Sequence, residues 1–173
     1  MRITVLSFFL GLSFYAVPIT SESNSYLMDP MPNNKPAPDF VLMGMDGKEH
    51  TLNDLKGKFL LVNFWATWCT PCKAEMPTLE AIHKRMDNEK FIVVGIHVGP
   101  GPDNIKNYLA MNPVSFPILI DMDIEYDWGV PGLPTTFLIS PEGEMLYRAV
   151  GKRDFSSSDM ERFFEKLVKS HFN

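Results

Sequence analysis

Two nearly continuous apolar runs, Lys58–Trp65 and Phe91–Val98, dominate the hydrophobic pattern of the chain. Runs of this length without alternating polar positions are typical of central strands that are buried on both faces of a sheet. Between them, apolar side chains recur at spacings of four, three, three and four residues, at Cys72, Met76, Leu79, Ile82 and Met86. This spacing predicts a helix with one buried stripe. The pattern therefore predicts a strand–helix–strand unit at the centre of the fold.

Shorter patterns extend this unit on both sides. Asp46-Gly47 is a hairpin turn signal between the segments Phe40–Leu42 and Glu49–Leu52. Ser158 and Glu161 form a predicted capping box at the start of a closing helix. We also expect a helix and three strands, at Asp103–Met111, Ile118–Ile120, Thr135–Ser140 and Glu144–Val150. Because helices separate some strands and a hairpin joins the last two, the order predicts an α/β fold with a mixed central sheet and helices on both faces.

The N-terminal region has a different pattern from the rest of the chain. After Arg2, the run Ile3–Val17 contains 15 uncharged, mostly apolar residues. It is shorter than the roughly 20 residues of a comfortable membrane span and suits the core of a signal peptide. We expect residues 1–25 to be a signal peptide or an uncleaved N-terminal anchor. Prolines are dense in residues 26–36, which predicts an extended, solvated linker before a folded domain at 37–173.

Composition and charge narrow the class of protein. The chain has 173 residues, 45% of them apolar, which suits one globular domain. Its formal net charge of −5 argues against a nucleic-acid partner, because proteins that bind the phosphate backbone present a basic surface. With only two cysteines, a small secreted disulfide scaffold is excluded.

The candidate chemistry lies in the segment Trp68–Cys72, where a buried strand gives way to a helix. Unpaired N–H groups at a helix N-terminus favour negative charge, so a Cys69 thiolate is stabilised there. Cys72 lies one turn deeper, on the buried stripe. An exposed thiol and a sheltered partner at this spacing can form a disulfide, so the only redox group we expect is the Cys69–Cys72 pair. A zinc site is not expected, because it needs four ligands and no second pair is present.

Residues 36–170 resemble the thioredoxin-like superfamily, in its extracytoplasmic TlpA/ResA/CcmG branch. The resemblance rests on four segments, Pro36–Phe40, Leu61–Cys72, Lys73–Pro77 and Gly132–Ile139. They read PAPDF, LVNFWATWCTPC, KAEMP and GLPTTFLI, in the order that the branch requires. The resemblance implies a thioredoxin-like fold with an N-terminal β-hairpin extension, and thiol–disulfide oxidoreductase activity.

The resemblance also implies roles for individual residues. Cys69 matches the attacking cysteine and Cys72 the resolving one, while Glu75 matches an acid that exchanges a proton with Cys72. Pro134 matches a cis-proline beside the pair, which leaves the backbone of Leu133 free to pair with a substrate. Trp68 is expected to pack beside the sulfurs, and we expect substrate contacts from a set of four residues, Trp68, Thr70, Pro71 and Leu133.

One position departs from the wider superfamily. General thioredoxins carry a buried aspartate six residues before the first cysteine, and here that position holds Asn63. An amide does not titrate, so acid–base help comes from Glu75, from water, or from neither. This departure fits the specialised branch better than a general thioredoxin.

The resemblance implies a reductant of disulfides in exported proteins, such as apocytochrome c, with a membrane or extracytoplasmic thiol donor. The expected location is extracytoplasmic, most simply the periplasm. A peroxidase is an alternative, although Ala66 and Val62 stand where peroxiredoxins carry threonine and proline. A non-catalytic copper carrier is another, although such carriers have a CxxxC motif and a distant histidine. The four histidines, His50, His83, His97 and His171, are expected to be structural or surface residues.

Overall fold

The computed structural model describes residues 27–173. Eight strands and four α-helices are found in this part of the chain. The strands are β1 (Asp29–Pro30), β2 (Val41–Gly44), β3 (Glu49–Thr51), β4 (Phe59–Trp65), β5 (Phe91–Val98), β6 (Ile118–Asp121), β7 (Thr135–Ile139) and β8 (Met145–Val150). The helices are α1 (Thr70–Arg85), α2 (Pro102–Met111), α3 (Ile124–Asp127) and α4 (Ser158–Phe172).

One mixed sheet contains all eight strands, in the order β1-β8-β7-β4-β5-β6-β2-β3. Strands β4, β5 and β6 run parallel, whereas β7, β8, β1 and the β2–β3 hairpin add antiparallel pairs. Because the three parallel strands end at the same edge, the loops that follow them meet there. This edge carries the Trp68–Cys72 segment. The structure therefore confirms the mixed sheet and the early hairpin that the sequence predicts.

A hydrophobic core fills each face of the sheet. On one face, Leu61 and Trp65 pack with buried residues of α1, α2 and α4. On the other face, Phe64 and Phe137 contact Trp128 with ring centroids 5.3 and 5.5 Å apart, and the short α3 contributes Ile124. Consecutive residues of β4 thus point into different cores, which is why this strand has no polar alternation.

The prediction of a solvated linker over residues 26–36 differs from the structure. Leu27 and Met28 are buried in the core beside α4, and β1 pairs with β8 at Arg148 and Tyr147. The segment is extended, as its prolines favour, but its backbone continues along β8 to Ala37, whose N–H donates to Gly143 O at 2.9 Å. The apolar pair and the free edge of β8 make docking more favourable than solvation. The described domain thus includes residues 27–36.

The expected signal peptide or anchor, residues 1–25, lies outside the described residues. Between residues 27 and 173, no helix has both the length and the apolar character that a membrane crossing requires.

The closing helix begins one residue earlier than the predicted capping box. Ser157, not Ser158, is the N-cap, and its Oγ accepts a hydrogen bond from the Met160 N–H at 3.3 Å. Glu161 falls one position too late to complete a box, and its carboxylate instead pairs with Arg85 of α1 at 2.9 Å. Glu161 therefore forms an ion pair with α1 and not the capping box that the local sequence predicts.

Substitution of this cap offers a stability test. We expect Ser157→Ala to lower the free energy of unfolding by about 1 kcal/mol, because an orphan N–H of α4 loses its acceptor. Ser158→Ala is the matched control, since Ser158 is exposed and is not the cap. Urea unfolding of both variants measures the difference, and a larger loss in Ser158→Ala than in Ser157→Ala would contradict the assignment.

Candidate active site

The cysteine pair lies where the loop after β4 enters α1. Cys69 is the N-cap of α1, and its Sγ accepts a hydrogen bond from the Cys72 N–H at 3.2 Å. The two sulfurs form a disulfide, with Cα atoms 5.3 Å apart. Cys69 is 6% exposed and Cys72 1%. The expectation of an exposed Cys69 beside a sheltered Cys72 is half wrong: both cysteines are buried, although Cys69 keeps slightly more exposure, because its Sγ turns back to accept a hydrogen bond from the first helical turn.

Three exposed residues adjoin the cysteines in the chain: Trp68 precedes Cys69, and Thr70 and Pro71 lie between Cys69 and Cys72. The Trp68 side chain is 67% exposed. A Cβ built on Gly99 would lie 3.6 Å from its indole Nε1, so the ring borders the loop that follows β5. The Trp68 ring is therefore largely exposed and lies next to this neighbouring loop, and its packing beside the sulfurs stays a prediction. Together the three residues give the disulfide an exposed rim.

The loop before β7 brings Pro134 to the same region. The Leu133–Pro134 peptide bond is cis, as the resemblance implies. Thr135 pairs in register with Phe64 near the end of β4, which places the loop beside the strand that leads to Cys69. Two hydrogen bonds fix the loop, from Thr135 Oγ1 to Gly132 O at 2.7 Å and from Gly151 N to Pro134 O at 2.8 Å. Leu133 is half-buried and packs against both cores.

Glu75 is a buried carboxyl group on the same helix as the cysteines. It is 1% exposed and lies three residues after Cys72, so the two side chains share one face of α1. Asn63 Nδ2 donates to its Oε1 at 2.8 Å and the Arg153 N–H to its Oε2 at 2.6 Å. Burial raises the pKa of Glu75 to about 7, although both hydrogen bonds oppose the rise. The group is therefore poised to gain or lose a proton near neutral pH.

Hydrogen bonds connect these separate elements into one site. Asn63 of β4 donates to Glu75 and also to Thr136 Oγ1 of β7 at 2.9 Å. The segment after β8 binds Glu75 through the Arg153 N–H and Pro134 through the Gly151 N–H. Glu75 of α1 is therefore held by β4 and by the segment after β8, and the same segment holds the cis-proline loop.

Three residues of this region make hydrogen bonds that were not predicted from the sequence. Arg153 acts through its backbone N–H, 78 residues from Glu75, and Thr136 acts through a hydroxyl on a strand that reads as apolar. His97 is fully buried, and its Nε2 accepts a hydrogen bond from the Thr67 N–H at 3.1 Å. Of these, only His97 carries a sequence signal, because it is the one polar side chain in an otherwise apolar strand, next to the strand that leads to Cys69.

Comparison with known proteins finds one matching family and similar thiol-disulfide oxidoreductases. Residues 34–148 match the model of the AhpC/TSA family. Thiol-disulfide oxidoreductase ResA of Bacillus subtilis is 40% identical over 119 residues, which is 66% of this chain and 65% of that protein. ResA of Geobacillus thermodenitrificans is 38% identical over 133 residues, covering 76% of this chain and 75% of the relative.

Solved structures agree with the sequence matches. A putative thiol:disulfide interchange protein DsbE from Chlorobium tepidum has 29% identity and a TM-score of 0.69, over 79% of this chain and 96% of that one. A thioredoxin family thiol:disulfide interchange protein from Chlorobium tepidum TLS has 32% identity and a TM-score of 0.65, over 81% and 97%. The chain therefore belongs to the AhpC/TSA family of thioredoxin-fold proteins, among the ResA-type thiol–disulfide oxidoreductases.

Proposed function

We propose that the protein acts outside the cytosol and reduces disulfides of exported proteins through the Cys69–Cys72 pair. The observation that carries this proposal is the disulfide at the N-terminus of α1, beside a buried titratable carboxyl group and the cis-proline loop. The similarity to proteins named thiol-disulfide oxidoreductase supports the reaction class. The apolar run Ile3–Val17 supports export, because its length suits a signal-peptide core.

The first chemical step belongs to Cys69 in the reduced protein. Its thiolate attacks one sulfur of the client disulfide, forms a mixed disulfide, and releases the other client sulfur as a thiolate. The N-cap position supports this role, because the Cys72 N–H already donates to Cys69 Sγ and the helix N-terminus favours negative charge. Cys69 also keeps the larger exposure of the two.

The client is proposed to lie along the cis-proline loop. Within residues 27–173, the backbone of Leu133 makes no hydrogen bond, which leaves its N–H and C=O for an extended client segment. The exposed side chains of Trp68, Thr70 and Pro71 form the opposite border. A client disulfide held between them would reach Cys69 from the exposed side.

The second step belongs to Cys72 and Glu75. The Cys72 thiol loses its proton and attacks Cys69 Sγ, which releases the second client sulfur and re-forms the Cys69–Cys72 disulfide. Glu75 is proposed to accept that proton, because it shares a helix face with Cys72 and its pKa of about 7 makes it an effective base near neutrality. The client gains two electrons, so an extracytoplasmic or membrane dithiol must reduce the pair again. Apocytochrome c is the client that the resemblance favours.

Equilibration of the protein with glutathione tests the direction of electron flow. We expect the Cys69–Cys72 pair to have a lower reduction potential than glutathione, and the reduced protein to cleave the disulfides of insulin. A potential far above that of glutathione would contradict the reductant role. Turnover of hydrogen peroxide would instead favour a peroxidase, and tight copper(I) binding without insulin reduction would favour a carrier.

A further inference from the structure

A buried histidine lies directly beneath the loop that presents Cys69. His97 pairs in register with Trp65, the last residue of β4, and its ring meets the Trp65 indole edge-on with centroids 5.1 Å apart. The chain leaves Trp65 for Cys69 within four residues. His97 is a fully buried residue of β5, and its packing against Trp65 fixes the position of its ring next to this loop.

The ring forms a defined hydrogen bond with the loop. The Thr67 N–H donates to His97 Nε2 at 3.1 Å, and the Thr67 hydroxyl lies 3.4 Å from the same nitrogen. A backbone N–H donates only to an unprotonated ring nitrogen, so Nδ1 carries the proton of the neutral ring. Burial lowers the pKa of His97, with a smaller opposing effect from the backbone of Gly99, which favours this neutral form.

Thr67, whose N–H donates to His97, lies in a tight turn. The Cys69 N–H donates to Ala66 O at 3.1 Å, which closes the turn around Thr67. Cys69 then caps α1 through its Sγ. An unpaired Thr67 N–H would be costly in this part-buried position, so the turn depends on an acceptor from β5.

We propose that His97 is a positioning residue for the redox reaction, whose Nε2 fixes the Thr67 N–H and thereby the turn that holds Cys69 at the N-terminus of α1. Through this turn, His97 maintains the alignment of the Cys69 sulfur with the first N–H groups of the helix. That alignment stabilises the Cys69 thiolate in the reduced protein. The inference rests on the proposed function, in which Cys69 is the attacking thiol.

Two unbranched substitutions separate hydrogen bonding from packing. Glutamine offers an oxygen near the position of Nε2, whereas methionine fills similar space with only a weak acceptor. In the reduced protein at pH 7, we expect His97→Met to slow alkylation of Cys69 by iodoacetamide about fivefold, the factor that corresponds to one net hydrogen bond. The apparent pKa of Cys69 from the pH dependence of that rate should rise. His97→Gln should restore most of the rate.

The outcomes distinguish this proposal from its alternatives. Unchanged Cys69 alkylation in a folded His97→Met protein overturns it, and so does an equal loss in both variants. In the unmodified protein, long-range ¹H–¹⁵N spectra should show Nε2 as the unprotonated nitrogen, and a proton on Nε2 overturns the proposal even if the variants do not fold. Suppose that the wild-type protein fails to reduce insulin, and that alkylation of Cys69 is slowed in His97→Met but not in His97→Gln. The proposed function then fails, and the positioning role of His97 stands.

Discussion

Replacing Cys72 with serine should convert the protein into a trap that holds its client through Cys69. The Cys69 thiolate can still attack a client disulfide, but serine cannot resolve the adduct, so the mixed disulfide accumulates and turnover stops. We expect insulin reduction to fall by at least about a hundredfold, because the covalent step that releases the client is lost. Non-reducing gels and mass spectrometry of the Cys72→Ser protein from the native cell measure the adduct and identify the client.

Cys69→Ser is the matched control for this trap. It retains Cys72, which is 1% exposed and lies on the core side of α1, so a client disulfide has little access to it. We therefore expect the Cys69→Ser protein to lose turnover without accumulating an adduct. Capture of clients by Cys72 in this variant, with none in Cys72→Ser, would reverse the roles of the two cysteines.

Removal of the buried carboxyl group should change how stability depends on pH. Glu75 has a pKa of about 7 in the folded protein against 4.5 for the exposed group. Because the folded state binds the proton more tightly, the free energy of unfolding falls as pH rises from about 4.5 to about 7 and then levels off. The difference in pKa corresponds to about 3 kcal/mol. We expect Glu75→Gln to abolish this decrease.

Glu80→Gln is the control, because Glu80 lies on the same helix with the opposite shift. Its hydrogen bonds with Lys84 and Ser115 lower its pKa despite some burial, so its contribution is present above pH 4.5 and is lost as pH falls. Urea unfolding between pH 4 and 8 measures both variants. If Glu75→Gln retains the decrease seen in the wild type, Glu75 is not the group that titrates.

Glu75→Gln should also slow insulin reduction, because Cys72 loses its proposed proton acceptor.

The elements that the sequence predicts well are those with strong local patterns. Strand β5 has the predicted bounds, Phe91–Val98, and α1 contains the whole predicted stripe except Met86, its C-cap. Both depend on long apolar patterns that local spacing records directly. The cysteine pair was also predictable, because its spacing and its place between strand and helix are local features.

The features that the sequence did not predict depend on distant partners. Leu27 and Met28 precede several prolines, and their burial depends on a distant core and on the edge of β8, with which the next two residues pair. The four-residue α3 is too short to produce a periodic pattern. The hydrogen bond from the Arg153 N–H to Glu75 uses backbone alone, which no side-chain pattern reveals. The position of the Trp68 indole beside the loop at Gly99 likewise involves a segment 31 residues away.

Site-specific alkylation of the fully reduced protein tests the central claim most directly. With limiting iodoacetamide at pH 7, one tryptic peptide ending at Lys73 contains both cysteines, and its fragment spectrum distinguishes them. We expect the first label on Cys69, with Cys72 labelled much more slowly. Preferential labelling of Cys72, or equal labelling of both, would contradict the assignment of Cys69 as the attacking thiol.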